Sequence, residues 1–217
     1  MIKRAYYSAK ISEFLQQTDA HVVGEISRHH HLDVVSEQTG AWLTQCRILR
    51  HVLPQFVDTE NAIFMEFTIP RMGKRAEVII ILSGIVFVLE FKVAAKKFYS
   101  QDIQQTLDYA LDLKYFHSGS HDALIVPLLI ATEANELNIK SELKINTDGL
   151  AEPLCFHPNA LAAFLCNCNQ QAIELAQDNL KKIHNSFAWA QSLYRPTPTI
   201  IQAAKLSKAA FAELVSE

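Results

Sequence analysis

Glu77, Glu90 and Lys92 are the residues of this chain whose types and spacing best suit chemistry. Arg75-Ala76-Glu77-Val78-Ile79-Ile80-Ile81-Leu82 reads as one strand and Ile85-Val86-Phe87-Val88-Leu89-Glu90-Phe91-Lys92 as the next, with Ser83-Gly84 as the turn between them. A two-residue turn pairs Leu82 with Ile85, Ile80 with Phe87 and Glu77 with Glu90. Side chains alternate along a strand, so Lys92 projects from the same face as Glu90. Two carboxylates directly opposite each other destabilise a sheet unless something binds them. A divalent cation held by both, with an ammonium beside it, removes that repulsion, and such a group of charges suits hydrolysis of a phosphodiester.

The elements that must position this hairpin follow from periodicity. Trp42, Cys46, Leu49 and Leu53 recur at helical spacing, which predicts a helix from Ser36, as its cap, to about Leu53, ended by Pro54. Ile63 to Ile69 reads as a first strand, and Pro70 to Lys74 as a loop containing Gly73. Ser100 to Phe116 reads as a second helix with Ile103, Leu107, Ala110 and Leu111 on one face. Leu124 to Ala131 is a fourth strand, whose Pro127 lacks a donor and marks a bulge or a sheet edge. The order is helix, three strands, helix, strand, and the continuous apolar runs imply an α/β fold whose sheet is covered on both faces. The first 35 residues read as mostly helical, with His29-His30-His31 in a solvated loop. Beyond Ala134 the chain is polar to about Leu150 and then helical from Ala160 to about Leu193. Arg195-Pro196-Thr197-Pro198-Thr199 is a stiff break before a last helix, Ile200 to Val215.

With 217 residues, half of them apolar, the chain supports one globular domain with a substantial core. The net charge of −3 argues against a uniformly basic nucleic-acid coat. Between Arg71 and Lys97, however, Arg71, Lys74, Arg75, Lys92, Lys96 and Lys97 face only Glu77 and Glu90, a local balance that suits a polyanion. Neither a signal peptide nor a membrane span is read in the sequence, so a cytoplasmic protein is expected. Cys46, Cys155, Cys166 and Cys168 fit reduced thiols there. One upstream and three downstream cysteines could be arranged for an iron–sulfur cluster, but the Cys166-Asn167-Cys168 spacing is poor for one and small core residues are the better reading.

In this setting the chain resembles the PD-(D/E)XK superfamily of restriction-endonuclease-like nucleases. The resemblance rests on Glu77, twelve intervening residues and Glu90-Phe91-Lys92, set in an αβββαβ order. A closer resemblance covers Arg71 through Val93, Gln105 through His117, Ile125-Val126-Pro127 and Tyr194 through Thr199. These segments are similar to a group of bacterial proteins in which a nuclease-like N-terminal domain precedes a Schlafen-like P-loop ATPase or helicase domain. This chain has no Gly-x-x-x-x-Gly-Lys-Ser/Thr loop, so the resemblance is to the front domain only. Where the group usually carries aspartate, this chain carries Glu77.

The resemblance implies a restriction-endonuclease-like core with a mixed central sheet and helical N- and C-terminal additions over residues 1–194, then a linker and helix over 195–217 leading to an ATPase. It implies a Mg²⁺- or Mn²⁺-dependent deoxyribonuclease acting in DNA processing or phage defence. Glu77, Glu90 and the Phe91 backbone carbonyl are the expected metal ligands, since Mg²⁺ takes hard oxygen donors, and Lys92 is expected to orient water or meet phosphoryl charge. Glu37 is a candidate further ligand by resemblance, its alternative being a carboxylate that stabilises a helix N-terminus. Gln105 and Tyr109 match the Gln-x-x-x-Tyr signature of RecB-like members, their alternative being a polar pair on a helix face. Arg71, Lys74, Arg75, Lys96 and Lys97 are expected to contact backbone phosphates, and Glu66 is expected to be structural. The competing reading of the whole is a non-cleaving nucleic-acid-binding or docking domain that serves a helicase in the same polypeptide.

Overall fold

A computed structural model describes residues 4–30, 36–58, 60–69, 73–135, 143–175 and 180–201. Six strands lie side by side in chain order: β1 (Ala5–Lys10), β2 (Ala62–Ile69), β3 (Lys74–Leu82), β4 (Ile85–Lys92), β5 (Ile125–Ala131) and β6 (Leu154–Phe156). The first four are antiparallel neighbours, and β5 and β6 are added in parallel. Helices α1 (Ile11–Gln16), α2 (Asp19–His29), α3 (Ser36–Val52), α4 (Ser100–Phe116), α5 (Pro158–Leu175) and α6 (Ser186–Ala190) flank this open mixed sheet. α1, α2, α3 and α5 pack on one face, while α4 and α6 pack on the other. The protein is an α/β structure with a sheet buried on both sides.

The hairpin is built as its sequence requires. Ser83 and Gly84 both have positive φ, 51° and 84°, the turn geometry that matches the twist of the flanking strands. The register follows: Leu82 pairs with Ile85 and Ile80 with Phe87. On α3, Trp42, Cys46 and Leu49 are buried, the large ones each contributing about 1.5–3 kcal/mol of apolar burial. Pro54 then turns the chain into a short 3₁₀ segment, Leu53–Phe56. Burial pushes the thiols of Cys46 and Cys168 up to about 12, so both behave as core residues.

Four local expectations change. The N-terminal region is mainly helical, through α1 and α2, but it opens with a strand that was not expected: Ala5, Tyr7 and Ala9 alternate inward along β1, which pairs with β2. His29 ends α2 and packs 5.6 Å from the Tyr6 ring of β1, and His30 packs 5.1 Å from the Trp42 ring of α3, so these two histidines are packed rather than in a solvated loop; His31 lies outside the described residues. Pro127 is neither on a sheet edge nor in a bulge. β5 is interior, and Ile125 exchanges backbone hydrogen bonds with Gly149 and Ala151, whereas β6 starts pairing only at Leu128↔Leu154. Pro127 falls in the gap between these two sets of bonds, a position where a residue without an N–H is tolerated. Finally, Leu154–Phe156 forms a strand that the polar stretch before it did not announce.

The C-terminal segment is held by backbone bonds from Ser118, Arg195 and Thr197 to Leu193, Phe116 and Tyr115. Trp189 Nε1 donates to Ser120 Oγ, which also meets the buried ring of His117. Burial lowers the His117 pKa to about 3, so that ring is neutral. Beyond Ile201 the expected last helix lies outside the described residues. No helix among those described is long and apolar enough to cross a membrane.

Gly84 has a second constraint besides its φ. A Cβ there would stand 2.8 Å from Lys182 Cβ and 2.9 Å from the Ile183 nitrogen, which donates to the Gly84 carbonyl. Gly84→Ala is therefore expected to lower stability by about 1–3 kcal/mol. A urea midpoint equal to wild type would show that neither constraint operates.

Candidate active site

Met65 and Val78 face the α3 layer, yet Phe67 and Ala76, two residues away on the same strands, face the α4 layer. Regular alternation would keep each such pair on one face. The exchange occurs at Glu66 and Glu77, which stand opposite each other between the pairs Met65↔Val78 and Phe67↔Ala76. Glu66 takes it up in its backbone, with φ of 52° in the left-handed region that non-glycine residues rarely adopt. The β3–β4 ladder ends at the same level. Val78↔Leu89 is its last pair, and Glu77 and Glu90 come next in register. Glu66, Glu77 and Glu90 occupy one level across three adjacent strands.

Each carboxylate is held differently. Glu66 accepts from Trp42 Nε1 at 3.0 Å and pairs with Arg75 Nε at 2.8 Å, with His30 at 4.0 Å. Glu77 Oε2 accepts from the Phe91 N–H at 2.8 Å and from Gln45 Nε2 at 2.9 Å, both neutral donors. Glu90, only 2 % exposed, pairs through Oε1 with Lys92 Nζ at 3.1 Å. Lys92 also reaches Gln105 Oε1 at 3.1 Å and Asp102 Oδ1 at 3.4 Å, both in the first turns of α4. Gln105 Nε2 in turn donates to the Tyr109 hydroxyl at 2.9 Å. Phe91 points into the α3 layer, so its neighbours Glu90 and Lys92 face α4, as alternation requires.

The electrostatics follow from crowding. Burial first, then the neighbouring Glu90 charge, raises the Glu77 pKa well above its ordinary 4.5; the Phe91 N–H and Lys92 oppose this only in part. Burial also raises Glu90, against the pull of Lys92. Burial works against the Lys92 charge, but Glu90, Asp102 and Glu77 outweigh it and lift the ammonium above its usual value. Lys92 therefore stays protonated, which fits it to orient and neutralise rather than to accept a proton. Four carboxylates, those of Glu66, Glu77, Glu90 and Asp102, share this region with two permanent cations, Arg75 and Lys92.

That imbalance is what a divalent cation would relieve. Glu90 Oε2 and Gln45 Oε1 are buried acceptors without a hydrogen-bond partner, and both belong to this cluster. Buried acceptors left unpaired are costly, so they mark a place for a donor or a cation. Among the described residues no group of three or more His, Cys, Asp or Glu side chains gathers closely enough to hold a metal. A cation here would draw on Glu77, Glu90, a backbone carbonyl such as that of Phe91, and water, the sparse donor set that Mg²⁺ commonly accepts.

The expected site residues divide accordingly. Glu77, Glu90, Lys92, Gln105 and Tyr109 come together. Glu37 is exposed in the first turn of α3, and it is Gln45, two turns on, that reaches Glu77. Arg75 is engaged with Glu66 and stacks 4.7 Å over the Tyr6 ring. Lys74, Lys96 and Lys97 are exposed, and Arg71 lies outside the described residues. Gln45, Asp102 and the close involvement of Glu66 were not read from sequence. A glutamine on an otherwise apolar stripe, next to Cys46, is the one signal that could have pointed to Gln45.

The raised carboxyls predict a pH dependence. In chelator, the folded protein holds more protons than the unfolded chain once pH exceeds about 4.5, so stability is fullest below that value and falls as pH rises through the raised pKa values. Glu77→Gln keeps an acceptor for the Phe91 N–H and removes the charge. The variant should be more stable than wild type at pH 8 and equal to it near pH 4. Urea midpoints at the two pH values check this, and a wild type that is the more stable at pH 8 would contradict it.

No protein-family model matches this chain, and neither does any curated protein.

Proposed function

We propose that this protein is a metal-dependent nuclease of the PD-(D/E)XK kind that hydrolyses phosphodiester bonds in DNA. The observation that carries the reading is the excess of buried negative charge around Glu77 and Glu90, with a protonated Lys92 at its edge and two unpaired acceptor atoms inside it. A structural ion cluster would balance its charges and satisfy its acceptors; this one does neither. Four carboxylates against two cations leave a net excess of two negative charges, which one divalent cation would match. The helix, three-strand, helix, strand order around the cluster supports the restriction-endonuclease-like reading of the fold.

Glu77, Glu90 and the Phe91 carbonyl would hold Mg²⁺ or Mn²⁺. When bound, such a cation supplies charge neutralisation at the phosphoryl oxygens and lowers the pKa of a coordinated water. The chain's own residues do the rest. Lys92, fixed from three sides by Glu90, Gln105 and Asp102, presents its ammonium to the attacking water or to the transferring phosphate. Gln105 and Tyr109 hold Lys92 in place from α4. Gln45 orients Glu77 from the opposite layer. Nuclease action in DNA processing or phage defence, beside an ATPase, is the setting that the sequence resemblance suggests.

Incubation with plasmid and with labelled linear DNA, in Mg²⁺, Mn²⁺ and chelator, tests this. Cleavage should require metal and be stronger in Mn²⁺, which binds similar oxygen ligands more strongly and suits the longer reach of Glu77. Lys92→Ala and Glu90→Ala should each lower the rate at least about 100-fold, with the fold retained. Glu77→Asp should keep or improve activity in Mg²⁺. Metal-independent cleavage, or a Lys92→Ala variant as active as wild type, would overturn the assignment. Binding without cleavage in wild type would favour the non-cleaving domain instead.

A further inference from the structure

Beyond the cluster of Glu77, Glu90 and Lys92, the segments that follow β4 and β5, together with β6 and the first turn of α4, line a half-open cavity of about 340 Å³. Phe98, Ile103, Ala134 and Cys155 give it an apolar wall, and Lys96 and Lys97, both exposed, line it from the solvent side. Its volume falls within the usual range of ligand pockets, about 300–1,000 Å³. Crevices at the carboxyl ends of parallel strands are where open α/β sheets bind ligands.

Three features limit what can enter. The cavity and the Lys92 ammonium flank the same turn of α4: Ile103 lines the cavity, while Asp102 and Gln105 hold Lys92. A group in the cavity would lie next to the turn of α4 that holds Lys92, so a molecule long enough could engage both. Its charge is one-sided, with two ammonium groups and no carboxylate among the described lining residues. The loop leaving β4 is pinned, because Thr132 N–H donates to the Lys92 carbonyl and Glu133 N–H to the Ala95 carbonyl. The wall is a formed one. Just outside, Tyr99 is 55 % exposed at the start of α4, an aromatic face left open beside two lysines.

An apolar slot with a cationic rim fits a planar aromatic group that carries phosphate on either side. We propose that the cavity takes an unpaired nucleobase of the strand being cleaved, with the adjoining phosphates on Lys96 and Lys97 and the next base against Tyr99. A base paired in a duplex cannot leave its stack to enter without an energetic penalty, whereas single strands present theirs freely. The substrate class that follows is single-stranded DNA, or the frayed end of a duplex. This inference rests on the reading of Glu77, Glu90 and Lys92 as a nuclease site.

The test measures binding and cleavage separately. Fluorescence anisotropy in chelator compares a labelled oligothymidylate with a blunt duplex of equal length, for wild type, Phe98→Ala, Ala134→Leu and Phe98→Tyr. Phe98→Ala removes a wall and Ala134→Leu fills the space; thermal melts establish that each is folded, and either one suffices. The expected result is single-strand binding about tenfold weaker in both, duplex binding within about twofold of wild type, and recovery in Phe98→Tyr. Equal losses on both substrates, or no loss on the single strand, would overturn the pocket. Competition by thymidine monophosphate as effective as by the oligonucleotide would also overturn it, in favour of a free nucleotide. The two readings fail separately. Wild-type cleavage with unchanged single-strand binding in the variants removes the pocket alone, and selective loss of binding without any wild-type cleavage removes the nuclease alone.

Discussion

Three carboxylates at one level of a buried sheet are the constraint on which the rest of this site depends. Glu66, Glu77 and Glu90 sit on adjacent strands with little solvent to screen them, where charges interact more strongly than at the surface. Glu66 is neutralised by Arg75 and Glu90 by Lys92. Glu77 has only an amide N–H and a glutamine. Folding keeps this arrangement although it disfavours the charged form, which means that the core around it over-determines the geometry. The sequence supplies that core: the runs Val78 to Leu82 and Ile85 to Leu89 are buried on both faces. Their burial can offset a local electrostatic penalty of this kind.

The same constraint explains why the sheet departs from regularity where it does. Were β2 and β3 to alternate throughout, Phe67 and Ala76 would face the α3 layer instead of joining Tyr109, Ala110 and Leu113 on the other side. The positive φ at Glu66 moves the faces over by one residue, and the β3–β4 ladder opens at the same level. The opening lets donors from both layers converge: Gln45 comes from α3, and Asp102, Gln105 and Tyr109 from α4. Strained backbone of this kind is tolerated where function needs it and the surroundings hold it.

Much of this was legible in the chain because the decisive signals are local. Ser83-Gly84 between two apolar runs sets the hairpin register, and that register alone puts Glu77 beside Glu90. The apolar stripes of α3 and α4 gave both helices almost to the residue. What was not legible depends on distant partners. β1 reads Ala-Tyr-Tyr-Ser-Ala-Lys, too rich in small residues to declare itself a strand until β2 lies beside it. β6 has three residues and exists by pairing with β5. The face change at Glu66 has no sequence marker, because a glutamate, unlike a glycine, does not advertise positive φ. Gln45 was hidden for a related reason: a helix-borne glutamine is usually solvated, and only the packing of α3 turns it onto Glu77.

The roles proposed for this site all rest on Glu77 and Glu90 forming one cation site. Calorimetric titration of the folded protein with Mn²⁺ near neutral pH, in buffers of differing ionisation enthalpy, addresses it most directly. Binding should be accompanied by proton release, because the carboxyls that take the cation hold protons more tightly than usual. Both Glu77→Gln and Glu90→Gln should lose binding. Binding of equal strength in either variant, or binding with no proton released, would contradict it.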